Sequence, residues 1–203
     1  MKRRFLYLTL FLVAVLSAAL LMTPPAADCK CGVERWPVKT ASDPDAKYLF
    51  TASGALKKPR PKTIVEMLEL PFPFDSPGSI PKKYYTERVR PYETSIVTIE
   101  ATLTAYKQEP DEDYHLVIED EDGNTMVAEI VNLPCVKSKN KKIRDLIAKA
   151  RADFDEKFDA TKKYKDTNTK VTITGVPFFD RPHGAKGGAD NGIEIHPVLK
   201  IEF

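Results

Sequence analysis

The sequence has almost no excess of charge of either sign, and this limits the partners that can be expected for it. Its 203 residues include 31 Lys and Arg against 29 Asp and Glu, for a formal net charge of +2. Nucleic-acid binders that rely on bulk electrostatics carry a strongly basic surface. The charge balance therefore gives no support for nucleic-acid binding.

The sequence also lacks the short motifs that mark common enzyme classes. It contains no Gly-x-Ser-x-Gly nucleophile motif, no Gly-Lys-Ser/Thr phosphate loop and no Cys-x-x-Cys pair. Glycine is scarce, with 9 residues against 16 prolines. Because proline interrupts helices, we expect long extended segments and few long helices.

The first 27 residues have the three parts of an export signal. Basic residues at 2–4 precede an 18-residue apolar run, Phe5–Met22, and a small-residue exit follows at 23–27. The pattern predicts a cleaved signal peptide and an exported protein, periplasmic or extracellular. A retained anchor is the alternative, because membrane spans need about 17 to 25 residues. Membrane contact is expected only through this N-terminus, if it stays uncleaved or is lipidated at Cys29.

The cysteines are only three: Cys29, Cys31 and Cys135. An exported chain meets an oxidising compartment, where disulfides persist, but an odd number leaves one cysteine over. We predict a disulfide between Cys31 and Cys135. A bond between Cys29 and Cys135 is equally open.

Residues 28–93 have the composition of an extended, proline-rich N-terminal region. The basic run Lys57–Lys62 is interpreted as a solvated linker. A short helix is predicted near 64–70, because Thr63 and Glu66 fit a capping box and Pro71 stops the segment.

Residues 94–203 show the alternation of a β domain. Apolar residues at 97, 99, 101, 103 and 105 alternate with polar ones, as in a half-buried strand. Strands near 114–119 and 126–130 follow, joined by a three-residue turn at Asp122–Asn124 that would pair Leu116 with Ile130. An amphipathic helix over about 140–158 then precedes strands near 171–175 and 193–203.

This order of elements predicts a mainly β fold. A five-stranded, OB-fold-like Greek-key barrel with one amphipathic helix between the third and fourth strands matches it best. A small open α+β sheet is the alternative.

Four segments resemble a family of exported bacterial proteins of uncharacterised function with an OB-fold-like C-terminal domain. They are Glu34–Thr40, Asp113–Ile118, Gly175–Gly184 and Asn191–Val198. The resemblance covers most of the chain after the export signal. It implies export and a compact β domain, but it implies no reaction and no catalytic residue.

The three histidines suggest where a site lies. By strand parity, His115 and His196 point away from the barrel core, and Glu194 shares the face of His196. His183 lies in a 13-residue loop, Asp180–Gly192, with four glycines. The predicted ligand-binding residues therefore lie on the face of the second, third and fifth strands and in the loop after the fourth: His115, Glu129, Asp180, His183, Asp190, Glu194 and His196.

Three functions fit this pattern. The first is an exported binding module for a small or polymeric ligand, such as an oligosaccharide, a nucleic-acid fragment, a metal or a protein. The second is a metal-assisted hydrolase, a phosphoesterase or nuclease, with a divalent metal on His115, His183 and His196 and Glu194 as base. The third is a structural envelope protein, in which His115 and His196 are partly exposed residues that orient loops.

Overall fold

The computed structural model describes residues 31–76 and 79–203. The predicted export signal and Cys29 lie outside the described residues. No helix in the described ranges has both the length and the apolar character needed to cross a membrane.

The described chain forms a mainly β structure with few helices. Its strands are β1 (Arg60–Pro61), β2 (Val97–Gln108), β3 (Tyr114–Glu119), β4 (Thr125–Ile130), β5 (Lys165–Phe179) and β6 (Ile193–Glu202). Its α-helices are α1 (Trp36–Lys39), α2 (Ile64–Leu68) and α3 (Lys141–Lys157). Short 3-10 helices cover Pro44–Leu49, Lys82–Tyr85, Tyr92–Thr94 and Leu133–Cys135. The predicted mainly β class is confirmed, and β2–β6 correspond to the five predicted strands.

The six strands form one mixed sheet. β2 pairs antiparallel with β3 and with β5, and β1 runs parallel to the start of β2. β4 pairs antiparallel with β3 and parallel with β6, which pairs antiparallel with β5. A mainly β sheet of this kind also fits the α+β alternative.

The hairpin between β3 and β4 differs from the predicted register by two residues. Leu116 pairs with Ala128, and Tyr114 pairs with Ile130. The turn is centred one residue earlier than expected: the Asp120 amide donates a hydrogen bond to the Asn124 carbonyl, and the Asp120 side chain accepts hydrogen bonds from the backbone amides of Asp122 and Asn124. A shift of two residues keeps the same side chains on each face.

Helix α3 packs through the apolar stripe that the sequence predicts. Asn140 caps it by accepting hydrogen bonds from the amides at 142 and 143. Ile143, Ile147, Ala150 and Phe154 are buried at helical spacing. The helix thus covers one side of the sheet and leaves the outer face of β3, β4 and β6 to other segments.

The N-terminal region is tied to the strands rather than loosely attached. Arg35 forms a fully buried ion pair with Glu93 and also donates a hydrogen bond to the carbonyl of Phe179. Cys31 and Cys135 form a disulfide, as predicted, across a separation of 104 residues. Arg60, in the run interpreted as a linker, pairs with β2. The capping box at Thr63 and Glu66 is confirmed.

Candidate ligand-binding cleft

A cleft of about 500 Å³ lies against the outer face of the strands β3, β4 and β6. The loop over residues 180–192 forms its opposite wall, and the β2–β3 loop and α1 contribute at its ends. Clefts of about 300 to 1,000 Å³ are typical of small-molecule sites. The charged residues that line it are Lys39, Glu109, Asp111, Glu129, Asp180, Arg181, Asp190 and Glu194, together with His115 and His183.

Strand register brings the polar side chains of the strand face together. His115 on β3 lies directly opposite Glu129 on β4, and Val127 on β4 lies opposite Glu194 on β6. Alternation along β6 then places His196 on the same face as Glu194. His115, Glu194 and His196 therefore lie on one strand face, as the alternation in the sequence predicts.

The histidines of this face are buried, whereas a strand face open to solvent would leave them partly exposed. His115 is 2% exposed and His196 is not exposed at all. Nε2 of His115 lies 3.0 Å from the carbonyl oxygen of Lys186 in the covering loop. The backbone of that loop comes so close to β3 that a Cβ on Gly187 would lie 2.5 Å from the Val117 side chain.

Glu129 links the two buried imidazoles. Its Oε1 is 3.1 Å from Nδ1 of His115, and its Oε2 is 3.0 Å from Nδ1 of His196. Burial opposes ionisation of Glu129, but the hydrogen bonds from both imidazoles outweigh it and hold its pKa well below the usual range. Glu129 is thus a carboxylate on the cleft wall, 12% exposed, that is ionised at neutral pH.

The same contacts favour a charged imidazole at His196. Nδ1 of His196 also lies 3.0 Å from Oε1 of Glu194. Burial disfavours the imidazolium, but Asp113, Glu129 and Glu194 together raise the pKa of His196 well above its ordinary value. The pKa of His115 is also raised, because its contact with Glu129 exceeds the cost of burial.

Two carboxyl groups of the cleft have pKa values above the usual range, because burial outweighs the attraction of the nearby His196. Burial raises the pKa of Glu194 to about 7, and the negative charge of Glu129 adds to the effect. Burial and the charge of Asp113 raise the pKa of Asp111 to about 6. Lys39 pairs instead with Asp180, with 3.0 Å between Nζ and Oδ2.

Two buried polar atoms behind the cleft lack a hydrogen-bond partner. Oδ2 of Asp113 and Nε2 of His196 face each other at 3.4 Å without a hydrogen bond. In the described part of the chain, Asp113, Glu129 and His196 are the one set of three His, Cys, Asp or Glu residues whose donor atoms lie within 4.8 Å of one another. These are the residues best placed to hold a metal ion.

The structure gathers most of the predicted site residues at the cleft. His115, Glu129, Asp180, His183, Asp190 and Glu194 line it, and His196 is buried on the same strand face, in contact with Glu129 and Glu194. Of the predicted metal ligands, only His196 belongs to the three-residue metal set. The side chain of His183 is 58% exposed on the covering loop, with Nε2 4.0 Å from Oδ2 of Asp180.

The sequence interpretation omitted Lys39, Asp111 and Asp113 from the site. Asp113 had a usable signal, because Asp113-x-His115 repeats the acid-x-His spacing of Glu194-x-His196 on a strand. The sequence gives no such signal for Lys39, because no pattern near this residue indicates that the N-terminal region folds back onto the strand face.

Comparisons with models of known families, with curated proteins and with solved structures found no match to this chain. The family resemblance of the four segments therefore stays a prediction. The site is interpreted from its geometry alone.

Proposed function

We propose that the protein is an exported, OB-fold-like module that binds a small organic cation in the cleft. The strand order β2-β3-β4-β6-β5, with β2 also paired to β5, supports the OB-fold part of the proposal. The parallel pair β4–β6 is consistent with the same Greek-key topology. The cleft lies on the face and beside the loops that such folds use for ligands.

The charge of the cleft carries the ligand assignment. Six carboxylates line it, against one lysine, one arginine and two histidines, so that carboxylates are in excess. Lys39 pairs with Asp180, and Arg181 pairs with Glu34, outside the cleft lining. The remaining negative potential attracts cations and repels anions such as nucleic-acid phosphates.

The size and shape of the cleft favour a small molecule. A volume of about 500 Å³ accepts a ligand of modest size. Glu194 reaches the cleft from β6, and Glu109 and Asp111 approach from the β2–β3 loop. An ammonium or guanidinium group between these carboxylates would form charge-assisted hydrogen bonds.

Calorimetric titration tests the proposal. Putrescine and arginine amide serve as small cations, with glucose and citrate as neutral and anionic controls. We expect the cations to bind and the controls not to bind. Glu194→Gln should weaken cation binding about 10-fold, since a hydrogen bond to a charged group contributes about 1.5 to 3 kcal/mol.

Glu121→Gln is the matched control, because the side chain of Glu121 is 94% exposed and lies in the β3–β4 turn. It should leave the affinity unchanged. Equal binding of cations and citrate, or an equal loss in both variants, would contradict the proposal.

A metal-assisted hydrolase is the second candidate, and one contact favours it. Glu194 lines the cleft and also touches His196, a member of the three-residue metal set. Such enzymes combine a metal-held water with a carboxylate base. Release of nitrophenol from p-nitrophenyl phosphate with added zinc or manganese, lost in Glu194→Gln, would support this candidate over the binding module.

A further inference from the structure

Three donor groups from three separate segments meet on the strand face beneath the cleft. Asp113 ends the β2–β3 loop, Glu129 lies on β4 and His196 lies on β6. Asp113 and His196 have no exposed surface, whereas the Glu129 side chain is 12% exposed and lines the cleft. An ion can therefore reach the group from the cleft, past Glu129.

Two of these residues carry buried atoms that make no hydrogen bond. Oδ2 of Asp113 and Nε2 of His196 have no hydrogen-bond partner and contact each other only as an ion pair. The Asp113 carboxylate is held in position, because its Oδ1 accepts a hydrogen bond of 2.7 Å from the Asn132 amide. The two unpartnered atoms are therefore aimed at each other by their surroundings.

The distance between Oδ2 of Asp113 and Nε2 of His196 suits a shared metal ion better than a hydrogen bond. The two atoms lie 3.4 Å apart. Two ligands at about 2.0 to 2.1 Å from a tetrahedral ion are about 3.3 Å from each other. We infer that Asp113, Glu129 and His196 bind a divalent transition-metal ion.

Neighbouring carboxylates and imidazoles orient these ligands. With Nε2 of His196 on the metal, its Nδ1–H donates to Glu194, whose Oε1 is 3.0 Å away, and Oε2 of Glu129 lies 3.0 Å from the same nitrogen. His115 contacts the other oxygen of Glu129 at 3.1 Å. Carboxylate-to-imidazole contacts of this kind accompany most metal-binding histidines.

The donor set selects the class of metal. One imidazole with two carboxylates suits zinc, manganese or cobalt, whereas calcium and magnesium prefer oxygen ligands alone. The two carboxylates balance the charge of a divalent ion. This inference goes beyond the cleft ligand and does not depend on it.

The test uses the chain from residue 28 onward, without a histidine tag. The protein is dialysed against EDTA and is then titrated with zinc chloride in a calorimeter. No organic cation is present. We expect one zinc per chain and a rise in melting temperature, with magnesium at least about 100-fold weaker. Asp113→Asn should weaken zinc binding by at least about 100-fold. Asp122→Asn, an exposed aspartate of the β3–β4 turn, should change nothing.

Histidine variants separate this site from the set of three histidines. His183→Gln should leave zinc affinity unchanged, and His115→Gln should lower it about 10-fold through Glu129. In the wild-type protein, zinc should shift the imidazole nitrogen resonances of His196, a readout that requires no variant to fold. The inference would be overturned if the folded protein failed to bind zinc or if zinc left the His196 resonances unshifted. A larger loss of zinc affinity in His183→Gln than in Asp113→Asn would also overturn it. A failure of organic cations to bind would overturn only the proposed function.

Discussion

Oε2 of Glu129 lies 3.0 Å from Nδ1 of His196; the imidazole is fully buried, and the Glu129 side chain is 12% exposed and lines the cleft. The same carboxylate contacts His115 through its other oxygen. One negative charge on β4 thus compensates imidazoles from both neighbouring strands. The stability of this part of the fold and the chemistry of the cleft depend on the same residue.

Replacement of Glu129 by glutamine should destabilise the protein strongly. The change keeps the shape of the side chain but leaves the buried imidazoles without their shared carboxylate, and breaking a buried pair in this way costs about 3 to 5 kcal/mol. Urea unfolding of the metal-free protein measures the loss. Glu121→Gln, at an exposed position, should stay within about 0.5 kcal/mol of wild type, and similar values for the two variants would refute the central role of Glu129.

The stability of the EDTA-treated protein should fall as the pH rises from about 5 to 9. Asp113, Glu129 and Glu194 raise the pKa of His196 well above 6.5 despite its burial. The contribution of His196 to the stability of the fold is therefore complete below about pH 6.5, and it is lost as the pH rises through the pKa of His196 in the folded state. Burial raises the pKa of Glu194 from 4.5 to about 7, and this acts in the same direction. In both cases the folded state binds more protons than the unfolded state. Urea unfolding at a series of pH values checks the trend, and a stability that rises over this interval would contradict it.

The covering loop should be sensitive to a methyl group at Gly187, whereas the β3–β4 turn should accept one at Gly123 without effect on the cleft. Both residues have a positive φ, 80° and 83°, so alanine costs about 1 to 2 kcal/mol of backbone strain at either position. Only at Gly187 would the new Cβ meet the Val117 side chain, whereas at Gly123 nothing lies within 4 Å. We therefore expect Gly187→Ala to displace the loop and weaken cation binding at least about 10-fold.

Gly123→Ala, the matched control, should bind nearly as well as wild type. Calorimetry on both variants provides the measurement. Equal affinity in the two variants would show that contact between the loop and β3 does not shape the cleft.

Removal of the disulfide should destabilise the protein without altering the cleft. Cys31 and Cys135 close a loop with a separation of 104 residues, and loss of a native disulfide typically costs about 2 to 5 kcal/mol. The double variant Cys31→Ser, Cys135→Ser should melt at a lower temperature than oxidised wild type. Reductant should lower the melting temperature of wild type towards that of the variant, and a wild type unaffected by complete reduction would contradict the prediction.

Local patterns in the sequence located five of the six strands and the main helix, although β5 extends beyond the predicted 171–175 at both ends. Period-two alternation located β2, and the apolar stripe with Asn140 located α3 to within a residue at each end. Parity placed His115, Glu194 and His196 on one face. These features depend on neighbours along the chain, and the sequence shows those directly.

Local patterns in the sequence do not predict the long-range contacts that determine which residues are buried. Arg35 and Glu93 are 58 positions apart, and no local pattern identifies them as a fully buried pair. The burial of His115 depends on where the loop over 180–192 folds, and the hairpin register depends on the side chain of Asp120. Such features arise from tertiary packing. The sequence therefore predicted the strand face on which the site residues lie, but it did not predict which segments bury them.

Chemical-shift mapping tests the proposed function most directly. The isotope-labelled protein is titrated with arginine amide while its backbone amide resonances are followed. The account predicts saturable shifts concentrated at residues 109–115, 127–129 and 180–194, which line or border the cleft, and much smaller shifts in Glu194→Gln. The absence of saturable shifts, or shifts concentrated on helix α3, would contradict the account.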